Sequence, residues 1–402
     1  MKSYKEIDKV PVWGEPLDNA VKQIVNCSRD AEHTALMADH HLGYAMPIGG
    51  VAAYRNKVSP SGVGYDISCG NKAVLLDASA DFVRSNIAEI MDEIFHTLSF
   101  GIGRKNNEAV THPLFANDPA WDIDVANRLR SLAQSQLGTI GSGNHYVDLF
   151  VDEQERIWCG VHFGSRGLGH KLATHFIKAG GGKEGIDVDP VLLRTDSQLG
   201  QEYVACMKLA GRYAYAGRNW VCEKVASLLH CNILDEIHNH HNFAWEEQHF
   251  GQKMWVIRKG ATPAFPGQRG FVGGSMGDIS VIIEGVESEE SVQALYSTVH
   301  GAGRVMSRTA AAGKRRWKRA RRAGTKKSSP LKKGAISREM MMQWVSEAGV
   351  ELRGAGTDES PHCYKRLPTV LKYHANTINI VHTLKPIGVA MAGEEEYDPF
   401  KD

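Results

Sequence analysis

The sequence predicts an α+β protein in which helices and strands mix without a regular βαβ rhythm. Two observations carry this reading. Helical patterns and short apolar strand-like runs interleave along all 402 residues. No GxGxxG opens a helix after a strand, as a dinucleotide-binding, doubly wound fold would require. Residues 82–98 place apolar side chains at 83, 87, 90, 91, 94, 95 and 98, which reads as one amphipathic helix. Residues 121–137 read as a second helix, stopped by Gly138. Residues 197–233 are helix-compatible for most of their length. Strand-like runs fall at 73–76, 156–162, 254–257, 279–283 and 378–382.

Length alone suggests two or three domains. A chain this long can bury a large core, so neither disulfide nor metal is needed merely to keep it folded. Apolar residues make up 42% and charged residues 23%, which places the chain among soluble globular proteins. There is no run of eighteen apolar residues to cross a bilayer and no apolar leader after the first methionine. Seven cysteines without regular spacing fit reduced thiols in a cytoplasmic setting.

The net charge of +1 hides an asymmetry. Lys314 to Lys333 holds eleven Lys or Arg among twenty residues and no acid, so the rest of the chain is net acidic. Such a run is either solvated surface or an arm for nucleic-acid phosphates. Within it, Arg315, Arg316 and Trp317 are candidates for phosphate contact and base stacking.

The 41 glycines gather in GYAMPIGG, SGVGYDISCG, GTIGSGNH, GSRGLGH, GGSMGD and HGAGR. Glycine-rich loops let backbone N–H groups approach an anion closely. Their scatter argues for one integrated site built from loops of the whole chain. Possible metal ligands lie in four clusters: Asp66 with Cys69, His145 within GSGNH, His162 within VHFGSR, and the HNHH run ending at His241. A thiolate, a carboxylate and several imidazoles could hold one or two divalent ions. Singly, each residue is more often a turn or core residue than a ligand, and no CxxC or HExxH spacing sharpens the choice. His300 stands before Gly301, Ala302, Gly303 and Arg304. An imidazole there could attack phosphorus while glycine amides and the arginine hold the phosphate oxygens. A structural histidine in a turn is the alternative.

Together these stretches resemble the RtcB family of RNA-splicing ligases. The matching segments are MADHHLGYAMPIGGV, GVGYDISCG, GSGNHYVD, VHFGSRGLGH, HHNFAWEEQHFG, RKGATPAFPG, GGSMGDIS, HGAGRVMSRTAA and YKRLPTV, in that order. The resemblance implies one catalytic domain with central β-sheets flanked by helices. It implies two manganese ions, one on Asp66, Cys69 and His145 and one on Cys69, His162 and His241, with Cys69 bridging. His241 is chosen because it directly precedes Asn242. The resemblance further implies that GTP guanylylates His300 and that Asp39 is an acidic residue of the active site. Nucleotide contacts would come from Asn144, His145, Asp148, Asn242, Gly273, Gly274, Ser275, Met276, Ser280 and His300 to Gly303. Arg166 and Arg304 join the basic run as candidate contacts to RNA or DNA ends. A monomeric ligase in the cytoplasm, without a membrane partner, is the expectation. A metal-dependent phosphoesterase, an enzyme that only caps or processes 3′-phosphate ends, and a non-catalytic RNA binder are the alternatives.

The chain departs from the family in two places. One is the basic run. The other is the closing segment, which in the family resembles RPLGVIKG and carries a lysine that contacts the guanylate. Here Lys385 to Gly393 is one residue longer and puts Met391 or Ala392 at that place. Losing a charged hydrogen bond there would cost about 1.5–3 kcal/mol, unless Lys385 or another lysine fills the gap.

Overall fold

The computed structural model describes residues 2–183, 185–319 and 326–395, with side chains described outside 315–330. Two large sheets form its centre. The first has six strands, ordered Tyr4–Ile7, Val10–Trp13, His33–His41, Ile48–Tyr54, Gln252–Lys259 and Asn242–His249. The second is ordered Ile233–His240, Gly70–Ser79, Arg156–His162, Tyr146–Asp152, Ile378–Gly393, Ser280–Gly285 and Arg269–Val272. An eighth strand, Glu351–Ala355, pairs parallel to the long Ile378–Gly393 strand. The expected α+β class with central sheets and flanking helices is what the structure has.

The elements differ from expectation for local reasons. The helix read over 82–98 is two helices, Ala80–Ser85 and Ile87–Thr97. Asn86 breaks it: its backbone leaves the helical region, and its side-chain amide caps Phe82 O at 2.8 Å. The second helix spans Asp124–Gln136, because Pro119–Asp122 forms a separate 3-10 turn capped by Asp118. The long helix spans Gln198–Leu228 and stops five residues short of the reading. The run at 156–162 is a strand with the expected bounds, whereas 378–382 is only the start of a sixteen-residue strand. The basic segment begins and ends as a hairpin, Gly313–Arg319 with Lys326–Lys333. Residues 320–325 lie outside the described residues, as do the side chains of Arg315, Arg316 and Trp317.

Burial follows from the layers. The helix Gln198–Leu228 packs across both halves of the core, placing Tyr203, Met207 and Leu209 in one apolar cluster and Val221 and Val225 in another. A fully buried Arg258 sits in the first sheet. It pairs with Glu247 and donates to Ser297 Oγ at 2.7 Å and Leu295 O at 2.8 Å. It thereby ties that sheet to the strand Ser297–Val299, which leads directly into His300. The two sheets also share a seam. The strand Ile233–His240 belongs to one sheet and Asn242–His249 to the other, with only His241 between them.

Candidate active site at the seam of two sheets

Four neighbouring strands of the second sheet deliver the candidate ligands at one end. Gly70–Ser79 begins just after Cys69, Arg156–His162 ends on His162, Tyr146–Asp152 begins just after His145, and Ile233–His240 ends just before His241. The register puts His162 opposite both Asn71 and Tyr146. The loop before Cys69 is tight. Ser68 adopts a positive φ of 63°, and Cys69 N donates to Asp66 O at 3.0 Å. Gly164 is required beside it, because a Cβ there would lie 2.1 Å from Asp66 Oδ1.

These constraints bring the donor atoms of Cys69, His145 and His162 within 4.8 Å of one another. Cys69 Sγ lies 3.6 Å from His162 Nε2 and 3.8 Å from His145 Nε2. Asp66 Oδ2 joins at 3.1 Å from His145 Nε2. The ring orientations suit metal binding. His162 Nδ1 bonds Asn71 Oδ1 at 2.6 Å, and His145 Nδ1 lies 3.0 Å from Ile140 O. Each leaves Nε2 facing the cluster, and for His162 the outer partner fixes the tautomer. His241 stacks on His162 with ring centroids 5.1 Å apart and lies outside the 4.8 Å group. Its Nδ1 is buried and has no hydrogen-bond partner among the described residues. A buried orphan nitrogen beside a thiol, a carboxylate and two imidazoles is the chemistry of a divalent-metal site. The residues present fit such an ion.

His300 lies next to this cluster, with its ring centroid 4.8 Å from that of His241. Asp39, with no exposed surface, receives three N–H groups on one oxygen. They are His300 Nδ1 at 2.6 Å, His300 N at 3.0 Å and Gly301 N at 3.3 Å. Burial would raise this carboxyl's pKa, but the His300 contacts outweigh it and hold the group below its ordinary range. An ionised Asp39 can only accept, so Nδ1 of His300 carries a proton, and in the neutral ring the lone pair belongs to Nε2. Gly303 makes the turn possible. Its φ is +76°, and a Cβ would meet Asp39 O at 2.1 Å.

A cavity of about 300 Å³ opens over both groups. Its lining includes Asp66, Cys69, Asn144, Asp148, His162, His241, Asn242, the loop Gly273 to Met276, and His300 to Arg304. The expected nucleotide-contacting stretches therefore meet in one place. Ser280 stands behind that loop, where its hydroxyl accepts Gly274 N at 2.9 Å. Asn242 spans the seam, accepting Gly260 N at 2.7 Å and donating to Asp66 O at 3.3 Å. Asp148 is buried with Oδ1 unpartnered, and burial pushes its carboxyl up.

The two arginines expected at RNA are placed more deeply. Arg166 stands against His145, with Nη1 3.0 Å from its Nδ1. Arg304 lines the cavity, but its donors reach Met306 O, Asp358 O, Glu359 and the Tyr364 hydroxyl. Met391 and Val389 line the cavity from the long strand, while Ala390 and Ala392 face the core on its other side. Lys385 is exposed opposite Val151. No lysine lines the cavity among the described residues.

Sequence reasoning missed several lining or supporting residues. Asn71 orients His162 and is itself held by Phe271 O at 2.8 Å. Tyr146 stacks on His162 at 5.4 Å, and its buried hydroxyl has no partner among the described residues. Arg308 lines the cavity while pairing with Asp358 and Glu359. Tyr146 and Arg308 had a signal, each lying inside a segment that matches the family, and Asn71 had none.

The model of the family described as tRNA-splicing ligase RtcB matches residues 20–125 and 118–392. The chain belongs to the RtcB family. It is 29% identical to the RNA-splicing ligase RtcB of Escherichia coli K12 over 416 residues, covering 94% of this chain and 96% of that protein. It is 30% identical to the tRNA-splicing ligase RtcB of Thermococcus kodakarensis, covering 89% and 87%. The corresponding protein of Archaeoglobus fulgidus is 31% identical, covering 88% and 86%. Among the described residues, no helix of this RtcB-family chain is long and apolar enough to cross a membrane.

Proton release on metal binding follows from the electrostatics of these side chains. Burial and the charge of Asp66 push the Cys69 thiol well above its ordinary value. Burial and neighbouring imidazoles push His162 and His241 well below theirs. At neutral pH the thiol is protonated and these two rings are neutral, so binding a divalent ion should release the Cys69 proton and none from His162 or His241. Affinity should then rise about tenfold per pH unit below the thiol's pKa. Calorimetry with manganese in buffers of different ionisation enthalpy counts the proton. Release of none would contradict thiolate ligation.

Proposed function

We propose that this chain is an RNA ligase that joins 3′-phosphate or 2′,3′-cyclic phosphate ends to 5′-hydroxyl ends, using GTP and manganese. The observation that carries the reading is the Asp39-oriented His300 beside the cluster of Cys69, His145 and His162. A binder has no use for an imidazole held in its nucleophilic tautomer, and a phosphoesterase that activates water needs the metal cluster but not His300.

In the proposed sequence, Nε2 of His300 attacks the α-phosphorus of GTP, and the bond to pyrophosphate breaks. Asp39 faces the positive charge that forms on the imidazole. The RNA 3′-phosphate, opened first from the cyclic form by water where necessary, then attacks the histidine-bound phosphorus. The N–P bond breaks and His300 returns to neutral. Finally the 5′-hydroxyl attacks the 3′-phosphorus, loses its proton and displaces GMP. Asp66, Cys69, His145, His162 and His241 would hold the divalent ions, which supply charge neutralisation at phosphoryl oxygens. Asp148, Asn144, Asn242 and the loop Gly273 to Met276 would hold the nucleotide.

The site draws on both sheets, the candidate ligands on the second and Asp39 on the first, so we propose that the chain works as one catalytic unit, a monomer acting on RNA ends in the cytoplasm. Met391 in the cavity wall supports a narrower variant of the reading, an enzyme that caps 3′-phosphate ends with reduced or altered nucleotide preference. We also propose that the hairpin beginning at Lys314 grips RNA phosphates. It is rooted beside the cavity, because Ala335 N and Ile336 N bond Ala310 O and Ala311 O at 3.0 Å, on the helix that carries Arg308.

Intact mass after incubation with GTP and manganese tests the central step. The expected result is an increase of one GMP that disappears in His300→Ala. No adduct with any nucleotide or divalent ion would overturn the nucleotidyl-enzyme reading, and an adduct with ATP alone would trace the altered wall at Met391 to nucleotide choice. A salt titration of RNA binding tests the hairpin. Deleting 314–333 should weaken affinity and flatten its dependence on salt, because released counterions scale with phosphates contacted. An unchanged slope would remove the hairpin from the interface.

A further inference from the structure

We infer that Arg218 is a positioning residue that locks the candidate metal ligands into register from behind. The inference rests on the metal-centre reading above. Arg218 lies on the helix Gln198–Leu228 and has no exposed surface. Its guanidinium meets four acceptors. Nε donates to His238 Nε2 at 2.7 Å, and Nη2 to His240 Nδ1 at 3.0 Å. Nη1 donates to Ser68 O at 3.1 Å and to Phe163 O.

None of these partners is a carboxylate. Buried arginines are ordinarily paired with acids, as Arg258 is with Glu247 in this same molecule. A guanidinium sealed among imidazoles and carbonyls carries a large desolvation cost, so its place calls for a reason. The acceptors supply one. Ser68 precedes Cys69, and Phe163 follows His162. His238 and His240 share one face of the strand that ends one residue before His241. A single planar fork thus touches the flanks of three candidate ligands on three chain segments. It also sorts the HNHH run: alternation turns His238 and His240 toward the helix, while His241 turns into the cavity at the seam. Lysine carries the same charge but has one nitrogen and cannot span four acceptors.

Arg218→Lys and His238→Phe separate positioning from folding. The second variant keeps a ring against Tyr215, which now lies 4.0 Å from that of His238, and removes one acceptor of the fork. Manganese affinity is measured by calorimetry and thiolate ligation by the absorption spectrum of the cobalt-loaded protein, with the wild type and Cys69→Ala alongside. Near-UV circular dichroism reports folding. The expected result is about a 10–100-fold loss of manganese affinity in Arg218→Lys, the range seen when outer partners of metal ligands are changed. A weakened thiolate-to-cobalt band should accompany it. His238→Phe should show a smaller loss in the same direction. Folded variants with wild-type affinity and spectrum would overturn the role of Arg218 and leave the metal centre standing. If Arg218→Lys does not fold, His238→Phe decides alone, and wild-type behaviour there overturns the inference. A wild type that binds no manganese, or a Cys69→Ala variant that binds as well as wild type, would overturn the metal centre and this inference with it.

Discussion

The carbonyl of Cys69 accepts two backbone N–H groups, His241 N at 2.9 Å and Asn242 N at 3.3 Å. In return, Ser68 N donates to Asn242 O at 2.7 Å. This crossing holds the point where the chain leaves one sheet and enters the other. The site depends on it, because the second sheet presents Cys69, His145 and His162, whereas Asp39 comes from the first sheet and His300 follows a strand tied to it through Arg258. Moving the seam by one residue would reverse which side chains of the HNHH run enter the cavity. The glycines at 164 and 303 serve the same closeness, each standing where a Cβ would collide with Asp66 or Asp39. The candidate metal cluster and the Asp39-oriented His300 are adjacent because two sheets are pinned at one carbonyl.

How much of this could be read in the sequence depended on what each segment buries. The strand Arg156–His162 was legible because its apolar run is short and bounded by turn residues. The strand His33–His41 was not, although it carries Asp39. It is buried on both faces through most of its length, so it shows no alternation to mark it as a strand. The long strand Ile378–Gly393 was seen only at its start, because Pro386 and Gly388 read as breakers. They stand at a bulge in its pairing with Tyr146–Asp152. The helix at 82–98 was drawn too long because periodicity continues through Asn86 while hydrogen bonding does not.

The site was legible mainly through the resemblance. Composition and spacing pointed to metal and phosphate chemistry but could not choose among His238, His240 and His241. Asn71 and Arg218 carried no signal, since a residue that acts through its neighbours looks like any polar residue in a strand or helix. The structure also narrows the departure at the closing segment. Met391 faces the cavity and Ala392 the core, so the cavity wall is apolar there. Lys385, exposed at the far end of the register, lies outside the cavity. Arg304 and Arg308 bring positive charge into the cavity, each already engaged by Asp358 and Glu359.

The central claim is that the metal cluster and the nucleophile share one cavity at the seam. Anomalous diffraction from crystals soaked with manganese and a non-hydrolysable GTP analogue tests it most directly. The account predicts manganese within bonding distance of Cys69 Sγ and the Nε2 atoms of His145 and His162, with the α-phosphorus facing Nε2 of His300. Manganese bound instead at Asp152, Glu153 and His382, the other cluster of suitable side chains among the described residues, or a nucleotide seated away from His300, would contradict it.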